Sequence, residues 1–555
     1  MNWVCAASLL FASAVVVCSS PIWYESLYRG GAYTSDAVFP GEQYWTSEDG
    51  EWRAFAYTGI RYASAKRFEP STLNRNHDYL RNTSQPKRGF VCPQIANEAP
   101  YSSGVPLPLN EDCLYLDIYI PPVFKNHQNL GWSKWPVLMW IHGGQFKMGH
   151  KDAYSAGNLA MSSGNIVVVP NYRLGPFGFL STGDHVASGN WALYDLKLAV
   201  KWVHNNIQGF GGEKTKLTLA GERAGAALVS MLLLDDDVRG LVHGAVTFSG
   251  NMFSPWAVQS DPAAVTKRLA IDVGCSNDTK LLTACLKRLT TVELLDSAAR
   301  VERQMTDLLG NSLWAPVVDG LQIQFLPSWL LDGPTWVLKG GYVTGYSTND
   351  AAWPLLKKIP RVFGHGTIDQ EWIYATFIPS LLEFVQRHCD KPSNQQHMIQ
   401  TVYDKYGFLS ANSPAQLTEK ILRLTNDVFF VIPAIKESSM YAKQSSVSTG
   451  NQLFVISSDD SYETRSISPN PETAHLFGLV QGSTLSSNRS IEAVSRELRR
   501  LVGHIVRYGT GFGTQFNQKL GNQIILGNGH EWQSTRSNMD ELLKFWEPLH
   551  KAGCA

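Results

Sequence analysis

The sequence is poor in charged residues and has no excess charge of either sign. Only 17% of the 555 residues are Asp, Glu, Lys or Arg, and 48 acidic side chains balance 48 basic ones. A neutral chain without a basic block lacks the electrostatic signature of proteins that bind nucleic acid or anionic membranes. Because 44% of the residues are hydrophobic and 11% aromatic, the composition also excludes a largely disordered chain.

Long apolar runs are missing everywhere except at the N-terminus. There an apolar stretch from Trp3 to Val17 is followed by small residues. Its length is typical of a secretory signal peptide and short for a membrane helix, although no Lys or Arg precedes it. We expect residues 1–19 to be a signal peptide and residues 20–555 to form one domain. This predicts a secreted, extracellular protein without a membrane span.

Cysteine is scarce. Of eight cysteines, Cys5 and Cys18 fall in the predicted signal peptide, which leaves six in the mature chain. Two pairs are close in sequence and indicate local disulfides made in an oxidising compartment: Cys92 with Cys113, and Cys275 with Cys285. The other two, Cys389 and Cys554, either pair with each other or leave Cys554 to link two chains. Sequons for N-glycosylation begin at Asn82, Asn277 and Asn488.

Motifs for metal, redox and phosphate chemistry are also missing. The chain contains no HExxH, no CxxC and no GxxxxGK[ST] sequence. We therefore predict neither a metal nor a cofactor.

What the sequence does contain is an alternation of apolar strands and helices. "WPVLMWIHGG", "NIVVVPNYRLG", "KLTLA" and "VHGAVTFSG" are typical of buried strands, and "NWALYDLKLAVKWVHNNIQGFGG" has helical spacing. This alternation predicts a parallel sheet covered by helices on both faces. From about residue 255 to residue 450 helical periodicity dominates, which predicts insertions over the carboxyl edge of the sheet.

One segment has the layout of a nucleophile elbow but lacks the nucleophile. In "LTLAGERAGA" an apolar strand meets a Gly-x-x-x-Gly turn, and small residues then open a helix. In α/β-hydrolases the residue in the middle of this turn is a serine. Here it is Arg223, whose guanidinium stays protonated at physiological pH and cannot attack a carbonyl carbon.

Over nearly its whole mature length the chain resembles the type-B carboxylesterase and cholinesterase family. The resemblance is carried by "FAYTGIRYASAKRFEP", "EDCLYLDIYIP", "VLMWIHGGQFKMG" and "NYRLGPFGFLSTGD", followed by the elbow at the family's spacing. It implies an α/β-hydrolase fold, with a large, mostly parallel central sheet flanked by helices and helical insertions over its C-terminal edge. The two short-range disulfides are also what the family implies.

The resemblance implies that the catalytic triad is degraded. Matching the family's motifs places Glu371, in "GTIDQEW", where the triad acid belongs and Pro469 where the histidine belongs. In the same frame Glu472 and Gly478 match the family, and His475 is interpreted as a packed core residue rather than a displaced base. The family's third oxyanion-loop glycine is replaced here, so that the loop is Gly143, Gly144 and Gln145.

Arg223, Pro469 and Gln145 replace three parts of one catalytic mechanism. Together these changes predict that the chain is not an active esterase. In a serine protease, loss of the triad serine or histidine alone lowers turnover about a million-fold. Ser249, in "TFSGN", is interpreted as a buried hydrogen-bond partner rather than a replacement nucleophile.

Three functions stay open on this basis. Resemblance to the family's non-catalytic branch, which includes neuroligins, glutactin and the thyroglobulin C-terminal domain, implies an extracellular protein-binding or adhesion role. Alternatively, the vestigial gorge carries a lipophilic small molecule. A weak carboxylic ester hydrolase that uses an unidentified nucleophile is the third possibility.

Two expectations concern contacts. We expect Arg223 to pair with Glu371 across the space left by the lost histidine, unless Arg223 extends into the gorge water. In the closing helix an apolar stripe recurs at helical spacing and predicts a homodimer, unless the stripe docks on its own domain. The stripe consists of Met539, Leu542, Leu543 and Trp546.

Overall fold

A computed structural model describes most of the chain. The described residues are 5–6, 17–18, 26–34, 37–74, 88–94, 108–124, 134–154, 156–305, 308–309, 312–327, 330, 338–348, 350–351, 359, 368–387, 395–444, 451–456, 476–477, 489–511, 522–526, 532–536 and 538–551.

Within these residues the strands are β1 (Cys5–Ala6), β2 (Val17–Cys18), β3 (Gly31–Tyr33), β4 (Val38–Pro40), β5 (Glu42–Thr46), β6 (Trp52–Arg61), β7 (Ala63–Ser64), β8 (Thr72–Leu73), β9 (Tyr115–Tyr119), β10 (Val123–Phe124), β11 (Trp135–Ile141), β12 (Ile166–Pro170), β13 (Gly212–Glu222), β14 (Gly244–Phe248), β15 (Tyr342–Ser347), β16 (Gln452–Ile456), β17 (Asn522–Leu526) and β18 (Trp532–Arg536).

A mixed sheet of twelve strands lies at the centre, in the order β10-β6-β9-β12-β11-β13-β14-β15-β16-β17-β18, with β5 beside β6. All neighbours from β12 to β17 run parallel, whereas the strands towards both edges are antiparallel. The predicted parallel centre is therefore confirmed. The short pairs β1–β2, β3–β4 and β7–β8 lie outside this sheet.

The α-helices are α1 (Ala156–Ser163), α2 (Gly175–Phe179), α3 (Trp191–Asn206), α4 (Ala224–Leu232), α5 (Asp236–Arg239), α6 (Pro262–Asp272), α7 (Thr279–Leu286), α8 (Thr291–Met305), α9 (Gln370–Trp372), α10 (Ile378–Gln386), α11 (Gln395–Lys405), α12 (Pro414–Asn426), α13 (Ile432–Gln444), α14 (Arg489–Tyr508) and α15 (Met539–Lys551). Short 3-10 turns cover Lys151–Ala153, Ile207–Phe210 and Phe408–Ser410, and π-helical turns cover Ile373–Phe377 and Asp427–Val431.

Helices cover both faces of the sheet because its central strands are apolar on both sides. In β11, Val137 and Met139 belong to the core cluster that contains α3, while Leu138 and Trp140 belong to the cluster that contains α14. Side chains alternate between the faces of a strand, so a continuous apolar run needs cover on each side. This arrangement confirms the α/β-hydrolase architecture that the sequence predicts.

The predicted helical insertions are confirmed, with one omission. Helices α6 to α13 all lie between residues 262 and 444, and most of α10 to α13 packs into a third core cluster. The same stretch also contains β15, a strand of the central sheet that the sequence pattern did not reveal. Its sequence, "YVTGYS", mixes small, hydroxyl and aromatic side chains, and all six residues are buried.

The apolar stripe of α15 docks on its own chain. Met539 and Trp546 are buried in the third cluster, and Leu542 and Leu543 pack partly against it. The alternative interpretation of this stripe is thus confirmed. A homodimer stays a prediction, without support from the stripe.

Both predicted disulfides, Cys92–Cys113 and Cys275–Cys285, are present. Asn277 is exposed, whereas Asn82, Asn488, Cys389 and Cys554 lie outside the described residues. No helix in the described part of the chain combines the length and the apolarity needed to cross a membrane.

Candidate functional site

The elbow keeps its strained backbone although the serine is gone. Arg223 links β13 to α4 with φ 47° and ψ −114°, a conformation that costs energy for any residue with a side chain. Two glycines permit the tight turn. A Cβ atom on Gly221 would lie 2.6 Å from the carbonyl carbon of Gly225, and one on Gly225 would lie 2.1 Å from the Ile141 oxygen. The sequence signature therefore corresponds to a true elbow.

The Arg223 side chain is directed to the turn that follows β15. Its Nη2 lies 3.3 Å from Oδ1 of Asp350 and donates to the Asp350 carbonyl oxygen at 3.3 Å, and Nη1 donates to the same oxygen at 3.4 Å. The guanidinium carbon lies 5.3 Å from the ring centroid of Phe430, within the range of a cation–π contact. Because only 15% of the side chain is exposed, the arginine does not extend into open water.

Asp350 is held rigidly in place. It is fully buried, and its Oδ2 accepts a hydrogen bond of 2.8 Å from the backbone of Ser347 at the end of β15. The Asn426 side chain donates to the Ser347 carbonyl and accepts from the backbone of Ala351. Since β13, β14 and β15 are parallel neighbours, their carboxyl ends share one edge, which brings Asp350 to the elbow.

The predicted pairing of Arg223 with Glu371 is wrong. Glu371 is exposed in the short helix α9, and the partner of Arg223 is Asp350. Sequence reasoning missed Asp350 because β15 was not recognised as a strand. The sequence did contain one indication of Asp350: it is an acidic residue three positions after the end of β15 at Ser347. Parallel α/β sheets place their functional groups at this edge.

The residues of the oxyanion loop form a tight turn with no room for side chains on its glycines. A Cβ on Gly143 would lie 2.9 Å from the Glu222 carbonyl oxygen, and one on Gly144, where φ is 118°, would lie 2.1 Å from the Met148 oxygen. Gln145 has a φ of 55° and is exposed. Gln145 therefore adopts a left-handed backbone conformation that favours glycine, although it carries a side chain.

His142, which directly precedes the oxyanion loop, is unsuited to act as a base. His142 is fully buried, stacks on Tyr172 with ring centroids 4.4 Å apart, and donates from Nδ1 to the Gly143 oxygen. Burial lowers the pKa of His142 to about 3. Pro469, the predicted replacement for the triad histidine, lies outside the described residues, as do Glu472, His475 and Gly478.

The serines near the elbow are buried. Ser249 is 1% exposed, and its backbone N–H donates to the Gly345 oxygen. Ser230, on α4, donates to the carboxyl group of Glu437 and accepts from the backbone N–H of Met252. Burial raises the pKa of Glu437 to about 8. Sequence analysis did not single out Glu437, since nothing in its helical segment marks it as buried.

Comparison with known proteins identifies the family. A model of the carboxylesterase family matches residues 34–549. Bile salt-activated lipase of Mus musculus is 28% identical, over 93% of this chain and 87% of that protein. Carboxylesterase 1C of Rattus norvegicus is 28% identical over 78% and 76%, and carboxylesterase 5A of Felis catus is 31% identical over 68% and 66%. With its α/β-hydrolase sheet and its elbow, the chain therefore belongs to the carboxylesterase family.

Proposed function

We propose that this chain is a catalytically inactive carboxylesterase-family protein that acts outside the cell by binding. The observation that carries the proposal is the contact between Arg223 and Asp350 at the elbow. A protonated guanidinium cannot attack an ester carbonyl, and an acid engaged by that guanidinium is not available to orient a histidine.

The surroundings of the elbow support inactivity over weak hydrolysis by another nucleophile. The Arg223 guanidinium contacts both Asp350 and the ring of Phe430, so it occupies the space beside the elbow. Ser249 and Ser230 are each at most 1% exposed. A buried hydroxyl bonded to a carboxyl group, as in Ser230, has no path to a substrate.

An extracellular location is supported by the two disulfides. Such bonds form and persist in oxidising compartments and are rare in the cytosol. The exposed sequon at Asn277 is accessible for glycosylation.

A protein partner is favoured by an exposed apolar surface in the segment 312–327. Val318, Leu321 and Phe325 are 40%, 62% and 51% exposed, respectively. We infer that these three side chains form one apolar patch, because a contiguous exposed apolar patch is typical of a protein interaction site.

The inactivity is tested by hydrolysis of a short aryl ester, such as 4-nitrophenyl acetate, by purified secreted protein. Mouse bile salt-activated lipase serves as the control. We expect turnover at the background rate for this chain, and a rate that scales with protein concentration above background would contradict the proposal.

The binding role is tested by proximity labelling on intact cells with the secreted chain. Partners should be lost with Leu321→Asp and Phe325→Asp, and retained with Leu409→Asp, which alters a residue that is 67% exposed in a different segment. Identical labelling by all three variants would contradict a binding surface at residues 318–325.

A further inference from the structure

Basic side chains gather at the amino edge of the central sheet, the edge opposite to the elbow. Lys216 lies in the first half of β13, Lys339 shortly precedes β15, and Arg507 lies in the last turn of α14. Since β13, β14 and β15 are parallel neighbours, their amino ends share one edge. The three residues are far apart in the sequence, so the fold creates a basic cluster although the sequence contains no basic block.

Backbone contacts around His243, which directly precedes β14, hold this cluster together. The His243 carbonyl oxygen accepts a hydrogen bond of 2.6 Å from the N–H of Gly340, the residue after Lys339. A Cβ atom on Gly509, two residues after Arg507, would lie 2.8 Å from Nε2 of His243. The segment before β15 and the end of α14 therefore both pack on His243.

The charges of the cluster are close to one another and are not neutralised. Nζ of Lys216 donates to the Arg507 carbonyl oxygen at 3.2 Å. Burial lowers the pKa of His243, and the positive charges of Lys216 and Lys339 lower it further. Among the residues that the structure describes, no carboxylate lies within salt-bridge distance of any of the three basic side chains. The cluster is thus a local positive region on a chain of zero net charge.

The positive region continues along one side of α14. Arg496, Arg500 and Arg507 follow one another at intervals of four and seven residues, which place them on one side of the helix. Arg496 and Arg507 are exposed, and the Arg500 side chain, which contacts Glu497, is 64% exposed. Between Arg496 and Arg507 the helix rises by about 17 Å. The basic surface is defined as Lys216, Lys339, Arg496, Arg500 and Arg507.

We propose that the basic surface binds a sulfated polysaccharide. A long, regularly charged chain fits an elongated row of cations, and sulfate oxygens accept hydrogen bonds from guanidinium and ammonium groups. Arg507 uses one of its five N–H donors on the Gly164 oxygen, which leaves others for a ligand.

The proposal rests on the extracellular location proposed above, because sulfated polysaccharides are abundant polyanions outside cells. Anionic lipids are concentrated in the cytoplasmic leaflet of the plasma membrane, which disfavours a lipid surface as the partner.

Binding is measured on the full mature chain by isothermal titration with a heparin octasaccharide at physiological ionic strength. We expect binding that weakens steeply as salt is added, because salt screens exposed charges. The same octasaccharide without its sulfate groups should bind at least about tenfold more weakly, since most of its charge is lost. No binding of heparin, or equal affinity for the desulfated form, would overturn the proposal.

Two double variants locate the site. Lys339→Gln with Arg507→Gln should weaken heparin binding about 20- to 30-fold, at about fivefold for each charge next to a polyanion. The matched control, Lys267→Gln with Arg303→Gln, removes the same charge from exposed positions on α6 and α8 and should change the affinity less than about twofold. Both should keep the native melting temperature, because only exposed side chains change. Equal weakening by both would show that heparin responds to net charge alone, and the proposal would be wrong.

Two further probes distinguish a sulfated polysaccharide from other anionic partners. A single-stranded DNA oligonucleotide and vesicles that contain phosphatidylserine should both bind more weakly than heparin, whose charges are more closely spaced. Tighter binding of either would contradict the proposal. Its failure is distinguishable from failure of the proposed function, because the aryl-ester assay and the variants at residues 318–325 do not alter the basic surface.

Discussion

Nη2 of Arg223 lies 3.3 Å from Oδ1 of Asp350, so the elbow and the end of β15 are joined by a salt bridge. In an active α/β-hydrolase the residue at the elbow is a serine, and a histidine that is oriented by an acidic residue accepts its proton. Here the side chain at the elbow is an arginine that reaches a buried aspartate directly. The contact joins the carboxyl ends of two parallel strands that are separated by β14.

The first prediction concerns the stability that this contact supplies. Arg223→Ala should lower the free energy of unfolding by about 1–3 kcal/mol, because it leaves the buried carboxylate of Asp350 with fewer partners. Arg223→Ala combined with Asp350→Asn should recover part of that loss, as measured by urea denaturation in a double-mutant cycle. The control pair, Arg223→Ala with Glu371→Gln, should show additive effects because Glu371 is exposed. Coupling to Glu371 but not to Asp350 would contradict this account.

The strained backbone at position 223 leads to a second prediction. Arg223→Gly should be less destabilising than Arg223→Ala by about 1 kcal/mol, because both remove the salt bridge but only glycine tolerates a φ of 47° without strain. Urea denaturation of the two variants measures the difference. A larger loss for glycine than for alanine would show that the elbow does not have this conformation in solution.

The glycines of the elbow give a third prediction. Gly225→Ala should lower the free energy of unfolding by about 3 kcal/mol or more, since its Cβ would lie 2.1 Å from the Ile141 oxygen. Gly240→Ala is the control: its Cβ would meet its nearest neighbour at 3.3 Å, and its φ is −62°. The secreted yield and melting temperature of the two variants should differ clearly. Equal behaviour would contradict the close packing of α4 on the loop after β11.

The fourth prediction concerns pH. Burial raises the pKa of Glu437 to about 8 from an ordinary value near 4.5. Between these values the folded chain keeps a proton that the unfolded chain releases, so this residue lowers stability as the pH rises towards 8. Glu437→Gln, which cannot ionise, should therefore be more stable than the native chain at pH 8, by roughly 2–4 kcal/mol.

At pH 5 the gain in stability from Glu437→Gln should be small. This pH lies only just above the ordinary pKa of 4.5, so the free-energy cost of keeping the proton in the folded chain is still low. Denaturation curves at both pH values, with the exposed Glu371→Gln as control, measure the effect. A gain that is the same at pH 5 and pH 8 would contradict a buried, protonated carboxyl group.

Much of the sheet could be predicted from the sequence because its central strands, such as the "IVVVP" run of β12, are short and continuously apolar. The elbow was recognisable because its glycines are required by backbone contacts that leave no room for a side chain. Asp350 was missed for the opposite reason. Strand β15 has no apolar run, and its burial comes from its two neighbours in the sheet, which a local pattern does not show.

The closing helix illustrates a second limit of sequence reasoning. An apolar stripe shows that a helix buries one face but does not show against which surface. The ring of Trp546 is fully buried and its indole N–H donates to the hydroxyl of Tyr406, on the same chain. Only the tertiary packing distinguishes this docking from a dimer interface.

The fifth prediction is a gain of activity. If Pro469 has replaced the triad histidine, Arg223→Ser with Pro469→His would restore serine, histidine and the acid Asp350 together. We expect this double variant to hydrolyse 4-nitrophenyl acetate above background, and Arg223→Ser alone to stay at background. Equal activity of the single and double variants would show that the base is not supplied at position 469.

The central claim is that Arg223 has abolished the nucleophile of this family member. Its most direct test is treatment of the native, secreted chain with a fluorophosphonate probe, followed by intact mass measurement and peptide mapping, with mouse bile salt-activated lipase as the positive control. The account predicts no mass increase for this chain under conditions that label the lipase completely. Stoichiometric covalent labelling of any serine, Ser249 and Ser230 included, would contradict it.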